Sequence, residues 1–146
     1  MLCGGRVYKE VTGVEKDMQA AVFAYAAEQY GIEPEYLWVR SPDHAVLRRT
    51  GSRKWFGLFG HIPRGKLGLA GEGSVSVMVV KCDPLLIGAV RRRTGILPGY
   101  HMDKAHWITV LLDGTVPEEE VLSLLDRSYT LAGAAAPRAK RDKSSR

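Results

Sequence analysis

The sequence predicts an α+β fold in which helices cover one face of a mostly antiparallel sheet. Three observations support this prediction. The predicted elements follow the order α-β-β-β-β-α-β-α, and hairpin-length connections join neighbouring strands. The composition is that of an ordinary globular domain, with 45% hydrophobic and 25% charged residues. At 146 residues the chain is long enough for one domain with a single hydrophobic core.

The first predicted helix spans residues 17–30, where apolar side chains recur at helical spacing and Gly31 supplies a C-terminal cap. Three short segments that follow are rich in β-branched or aromatic residues and are bounded by turn residues, which is typical of strands. These predicted strands lie at 36–40, 44–49 and 54–62. The glycine-rich stretch 63–73 is typical of a long exposed loop.

The second predicted helix follows a β-branched strand at residues 75–80. Asp83 suits the N-cap position and Pro84 the first helical position. Arg91–Arg93 would occupy the last turn, where cations stabilise the negative end of the helix dipole. Gly95 would end the helix.

A last strand is predicted at residues 107–112 and a last helix after it, ending near Gly133. Thr115 and Glu118 have the spacing of a capping box for that helix. We expect the first and last helices to lie on one face of a sheet that contains the Trp38, Trp55 and Trp107 strands. The residues expected to be buried are Leu37, Phe56, Val79, Val110 and Leu125.

The chain divides into a predicted flexible leader at residues 1–13, one domain at 14–134 and a basic disordered tail at 135–146. The net charge is +5, and Pro137–Arg146 alone has five basic residues and one acidic residue, so the tail accounts for +4. The basic composition of the whole chain is therefore weak evidence that the domain itself binds nucleic acid.

The sequence also carries information about the cellular location of the protein. We find no apolar run of the length that a membrane helix needs and no signal peptide, so we expect no membrane association. Cys3 and Cys82 are the two cysteines, and a disulfide between them is not expected. We expect a cytoplasmic protein that is a monomer, with no cofactor and no metal.

Four cations surround the predicted hairpin turn: Arg48, Arg49, Arg53 and Lys54, followed by Trp55. Such a β-ribbon can act as a wing, whose cations contact phosphates and whose aromatic side chain stacks on a base. The alternative is a solvated, charged hairpin with Trp55 in the core. Arg64 and Lys66 in the glycine-rich stretch suggest a second wing. That stretch lacks the Gly-Lys-Ser/Thr ending of a phosphate-binding P-loop, and a mobile connection is its other interpretation.

The densest polar cluster is formed by Tyr100, His101, Lys104 and His106. A metal site would need a third soft ligand, and none lies nearby in the sequence. Acid–base catalysis would need a partner nucleophile, and none stands at a suitable spacing. A structural turn and a ligand or partner surface are the remaining interpretations, and we expect no enzyme activity.

Several short motifs resemble the MmcQ/YjbR family of small bacterial proteins, over roughly residues 17–131. They are Glu33–Trp38, Lys54–Phe56, Lys81–Pro84, Pro98–Met102, Lys104, His106–Trp107, Asp113–Gly114 and Ser128–Tyr129. Asp103 is a departure, because the family usually has Asn there. The resemblance implies a frataxin-like (CyaY-like) α+β fold and DNA binding. The iron function of frataxins does not transfer, since helix 1 lacks an acidic ridge.

Two functions are therefore predicted. The first is a non-catalytic nucleic-acid-binding module that contacts DNA phosphates through the hairpin cations; it requires cations clustered on one face. The second is a protein-interaction or small-ligand-binding domain that uses the Tyr100–His106 surface; it requires a concave apolar pocket near Tyr100.

Overall fold

The computed structural model describes residues 13–133 of the chain, with side chains from Met18 onward. Its helices are α1 (Gly13–Tyr30), the single turn α2 (Ile87–Val90) and α3 (Glu118–Gly133). Its strands are β1 (Ala45–Arg48), β2 (Trp55–Pro63), β3 (Ser74–Lys81), β4 (Ile96–Pro98) and β5 (Trp107–Leu111). The predictions for the leader and the basic tail fall outside the described residues, apart from Gly13.

The five strands form one antiparallel sheet in the order β1-β2-β3-β5-β4. β3 is central because its run of β-branched residues is buried on both faces, with Met78 against the helices and Val79 on the opposite face. The α+β class and the antiparallel sheet are as predicted.

The helices α1 and α3 pack side by side on one face of the sheet. This helical face contains the larger core cluster, in which Val22 of α1 and Leu125 of α3 are fully buried against Phe56 and Met78. The predicted burial of Phe56, Val79, Val110 and Leu125 is confirmed. We call the opposite side of the sheet the open face, because its smaller apolar cluster includes none of the α1 and α3 side chains that the structure describes.

Two tyrosines hold α1 against α3. The hydroxyl of Tyr25 donates a hydrogen bond to the Asp126 carboxylate (2.8 Å), and the Tyr30 hydroxyl donates to the same group. The Tyr30 ring stacks on Tyr129 with centroids 3.9 Å apart. Burial, followed by the bond to Asp126, raises the pKa of Tyr30. The bond to Asp126 is the main cause that raises the pKa of Tyr25, so both hydroxyls stay protonated and act as donors.

A β-bulge shapes the start of β2. Leu47 pairs with Gly57, whereas Arg48 pairs with Trp55, so Phe56 is an extra residue on this strand. The pairing of β2 with β3 ends at Leu58 and Val79. Beyond that pair the buried hydroxyl of Ser128 connects the strands: it donates to the Phe56 carbonyl (2.6 Å) and accepts from the Lys81 N–H (2.9 Å).

The prediction of a strand at residues 36–40 is wrong. One isolated bridge joins Glu35 to Val46, and the chain then leaves the sheet as a loop. Leu37, predicted to be buried, is 44% exposed, because the loop turns its apolar side chains toward solvent. Trp38 packs on Trp55 instead of extending the sheet.

The region of α2 also differs from prediction. The Asp83 carboxylate accepts from the Leu85 N–H (2.9 Å) in a local turn, and the helix begins only at Ile87. Arg91 is the cap of this short helix, so Arg91–Arg93 follow it instead of forming its last turn. Gly95 does take a left-handed conformation (φ 92°), but it leads into the unpredicted strand β4.

Two smaller predictions also change. The Thr115 hydroxyl donates to Asp113 (2.6 Å) and α3 starts at Glu118, so Thr115 and Glu118 do not form a capping box. The glycine-rich loop 63–73 contains a turn of 3₁₀-helix at Arg64–Leu67.

Candidate functional site

The hairpin cations do not form one free cluster. The Arg48 guanidinium pairs with Glu35 at 3.3 Å. Arg49 donates from Nη1 to the Tyr129 carbonyl (2.8 Å), and its guanidinium carbon lies 3.9 Å from the centre of the Tyr129 ring. Both arginines therefore contribute to packing within the protein.

Arg53 and Lys54, at the end of the same turn, are exposed. Arg53 adopts a left-handed backbone (φ 64°), which closes the turn through its N–H bond to the Arg49 carbonyl (2.8 Å). In the second predicted wing, the Arg64 side chain donates to the Ala70 carbonyl (2.7 Å) and so holds its own loop, whereas Lys66 is exposed. The exposed cations of the two predicted wings are Arg53, Lys54 and Lys66.

The Tyr100–His106 cluster divides into two parts. Lys104 donates to the Gly99 carbonyl (2.8 Å), which fixes the turn. His106 bonds through Nδ1 to Asp103 (2.6 Å), and this exposed pair borders a shallow recess that also includes Cys82. The N–H of Ala105 and then the His106 ring lower the pKa of Asp103. Tyr100 and His101 lie on the other side, at the open face.

A cavity of about 370 Å³ lies on the open face and includes Tyr100 and His101. We call it the open-face cavity. Its floor is the sheet itself, and the floor side chains are apolar or absent: Leu58, Gly60, Ile62, Val77 and Val79. One wall is formed by Trp38, His44 and Trp55, and the other by Tyr100, His101 and Met102. The cavity thus lies between the loop that precedes β1 and the loop that follows β4, and these two strands are at opposite edges of the sheet.

The wall around Trp38 is held by ring contacts. The Trp38 ring meets Trp55 at 82° with centroids 5.8 Å apart, and meets His44 at 78° and 6.3 Å. His44 lies directly over Gly60: a Cβ on that glycine would stand 2.4 Å from His44 Cδ2. Next to His44, the Asp43 carboxylate contacts His61 Nδ1 (2.8 Å) and does not line the cavity.

The wall around Tyr100 is held by the backbone. The buried Thr109 hydroxyl donates to the Pro98 carbonyl and accepts from the Tyr100 N–H, both at 2.9 Å. His101 then takes a left-handed backbone (φ 60°), an uncommon conformation for a residue other than glycine. Its ring lies 4.0 Å from the Tyr100 ring, between centroids. These contacts place two polar aromatic side chains at the cavity before any ligand arrives.

Sequence reasoning identified part of this site. The sequence predicts Tyr100, His101 and Trp55 as site residues, but it predicts strands of the sheet at Trp38 and His44 and no site role for Met102. The missed signal is Gly60: a glycine in the middle of a strand often marks the close approach of another group, here the His44 ring.

A second groove, of about 470 Å³, runs between α2 and α3. Leu86, Val90, Leu124 and Leu131 line it, and the ion pair between Arg93 and Glu120 lies at its side. Within residues 18–133 no group of three or more histidine, cysteine, aspartate or glutamate side chains is placed to hold a metal ion. No helix in the described part of the chain is both long and apolar enough to span a membrane.

The family model described as YjbR matches residues 27–131. Among curated proteins, the uncharacterized protein YyaQ of Bacillus subtilis is 42% identical over 110 residues, which are 75% of this chain and 93% of that protein. The uncharacterized protein YjbR of Escherichia coli K12 is 38% identical over 63 residues, or 42% of this chain and 53% of that protein.

Solved structures show the same fold. The crystal structure of a Pseudomonas syringae protein superposes with a TM-score of 0.76 at 39% identity, covering 78% of this chain and 97% of that one. A crystal structure of a Deinococcus radiodurans protein, with a DUF419 domain, has a TM-score of 0.61 at 25% identity and covers 83% of this chain and 80% of that one.

Proposed function

The chain belongs to the YjbR family, and from that premise we propose that it is a non-catalytic binding protein whose ligand enters the open-face cavity. The observation that carries the proposal is the concave, mostly apolar cavity beside Tyr100, floored by the sheet and walled by aromatic rings. Its volume of about 370 Å³ is in the range of small-molecule sites. We further propose that the protein acts as a monomer in the cytoplasm, where Cys82 stays a free thiol.

Pre-formed walls support binding at this cavity. Ordering loops on binding costs affinity, and a site that is already held avoids that cost. Thr109 holds the Tyr100 loop by two hydrogen bonds, and Gly60 lets His44 pack against the strand. The half-buried rings of Trp38 and Trp55 leave apolar surface for a ligand to cover.

Replacing Gly60 with alanine is expected to weaken binding at the cavity. The new Cβ would stand 2.4 Å from His44, so the ring must move and the wall changes shape. We expect the dissociation constant of a neutral flat probe, 2-naphthamide, to rise about tenfold, which is about 1.4 kcal/mol. NMR titration measures this through the indole N–H signals of the three tryptophans.

The matched control is Gly65→Ala, because a Cβ there has no atom within 4 Å among the described residues. In the wild type and the control, the indoles of Trp38 and Trp55 should respond to the probe, whereas that of Trp107, which does not line the cavity, should respond less. The proposal is refuted if the wild-type Trp38 and Trp55 signals respond neither to 2-naphthamide nor to its anionic and cationic analogues, 2-naphthoate and 2-naphthamidine.

DNA is the second candidate ligand, in line with the resemblance described above. The observation that favours it is the exposure of Arg53 and Lys54 directly before Trp55, which lines the cavity. Cations beside an aromatic ring suit the backbone and the bases of a single strand. Arg48, Arg49 and Arg64 are engaged with other protein groups, which leaves this candidate with fewer free phosphate contacts.

The double substitution Arg53→Gln and Lys54→Gln tests the second candidate without disturbing Arg49. Each lost phosphate contact should flatten the slope of log K against log salt concentration by about 0.7 for a single strand, so we expect a change of about 1.4 in a mobility-shift series with single-stranded DNA. A run of basic residues such as that in the tail can bind polyanions without a folded site, so the series is repeated with a chain ending at Ala136. If that shortened chain binds no DNA at low salt, the domain has no nucleic-acid site.

A further inference from the structure

We infer that the ligand of the open-face cavity is a small aromatic acid: a flat ring that carries a carboxylate or a similar anionic acceptor. This inference rests on the binding role proposed for the same cavity. It adds the charge and the shape of the ligand, and both follow from the side chains that line the walls and floor.

The shape of the ligand follows from the floor and the first wall. Leu58, Val77 and Val79 offer a flat apolar surface made by neighbouring strands of the sheet. Trp38 already meets Trp55 and His44 edge to face. A flat aromatic ring on this floor can make the same favoured edge-to-face contacts, which add to the gain from burying apolar area.

The charge of the ligand follows from the polar groups. Each polar side chain among the described lining residues can donate a hydrogen bond: the two indoles only donate, and the hydroxyls and imidazoles donate or accept. These groups belong to Trp38, Ser41, His44, Trp55, Tyr100 and His101. The described lining includes no aspartate or glutamate.

A cationic ligand would therefore lose its hydration without gaining a counter-charge, which is costly. An anionic ligand would instead receive several hydrogen bonds, and bonds to a charged acceptor are the stronger kind. Asp43, which follows the lining residue Ser41 closely in the chain, directs its carboxylate to His61 at 2.8 Å and leaves the cavity free of negative charge.

The test uses the full-length chain and three probes that share one ring system: 2-naphthoate, 2-naphthamide and 2-naphthamidine, which are anionic, neutral and cationic. Dissociation constants come from NMR titrations at constant ionic strength, followed at the Trp38 and Trp55 indoles. We expect 2-naphthoate to bind most tightly and 2-naphthamidine most weakly, with at least a tenfold difference between them, or about 1.4 kcal/mol.

A paired variant separates the cavity from the overall positive charge. In His44→Phe with His101→Gly, neither new side chain can donate a hydrogen bond, and glycine tolerates the left-handed backbone that His101 adopts. This variant should lose most of the preference for 2-naphthoate over 2-naphthamide. The control Arg53→Gln with Lys54→Gln removes two charges outside the lining and should keep that preference.

The outcomes distinguish the two proposals. If 2-naphthamide binds at the cavity but 2-naphthamidine binds as tightly as 2-naphthoate, the aromatic-acid inference is overturned and the binding role stands. If the preference for 2-naphthoate is undiminished in the histidine variant, the hydrogen-bond donors of the cavity walls do not produce it, and the inference is again overturned. If none of the three probes shifts the Trp38 or Trp55 signals, the binding role itself fails.

Discussion

Replacing Ser128 with alanine should lower the free energy of unfolding by about 2–4 kcal/mol, since each buried polar backbone group left without a partner costs about 1–3 kcal/mol. The Ser128 hydroxyl serves two such groups, the Phe56 carbonyl at 2.6 Å and the Lys81 N–H at 2.9 Å. Ser128 is fully buried in α3, and the sheet offers no strand pairing at this point to replace it.

Urea unfolding of the variant and the wild type measures this loss. The matched control is Ser123→Ala, the same change at an exposed position of α3, which should alter stability by no more than about 0.5 kcal/mol. If Ser128→Ala costs no more than its control, then α3 does not connect the two strands in solution.

Leu125→Ala should destabilise the protein by about 2–5 kcal/mol, the range for truncating a fully buried leucine. Leu125 has no exposed surface and belongs to the cluster that joins α1, α3 and the sheet. The cost includes the lost burial and the void that the surrounding side chains cannot fill.

The same substitution at Leu85 provides the comparison, because that side chain is 91% exposed. We expect Leu85→Ala to change stability by less than about 0.5 kcal/mol. Equal losses at the two leucines would mean that α3 does not pack on the sheet as described.

Much of the fold was predictable because its signals are local. The strands at 45–48, 55–63 and 74–81 follow runs of apolar and β-branched residues between turn residues, and α3 follows helical spacing. Gly31 does end α1 with a left-handed conformation (φ 69°). These features depend on near neighbours in the chain, which the sequence displays directly.

The predictions of secondary structure fail where contacts between distant parts of the chain determine the local conformation. The segment 36–40 has the composition of a strand, but in the folded protein Trp38 packs on Trp55 at the open face and the segment pairs with no described strand beyond Glu35. β4, with three residues, is too short to show any periodicity, and its existence depends on pairing with β5. The one-turn α2 likewise carries too few residues for its caps to be read from spacing.

Only part of the candidate site can be predicted from the sequence, for a related reason. A sequence shows that a cation is present but not whether its charge reaches solvent, and Arg49 is used to hold α3 through Tyr129. The polar cluster near Tyr100 was visible because its members are close in sequence. Trp38 and His44 join it only because the sheet brings a loop some sixty residues earlier to the same face.

The two outer strands limit the backbone groups that the sheet offers for pairing with another chain. At the outer side of β1, the Val46 N–H and carbonyl are both already bonded to Glu35 at 2.9 Å. At the other edge, β4 has three residues and ends at Pro98, which has no N–H to offer. Within residues 13–133 neither border presents a long row of free backbone groups, which is the feature that favours edge-to-edge strand addition between chains.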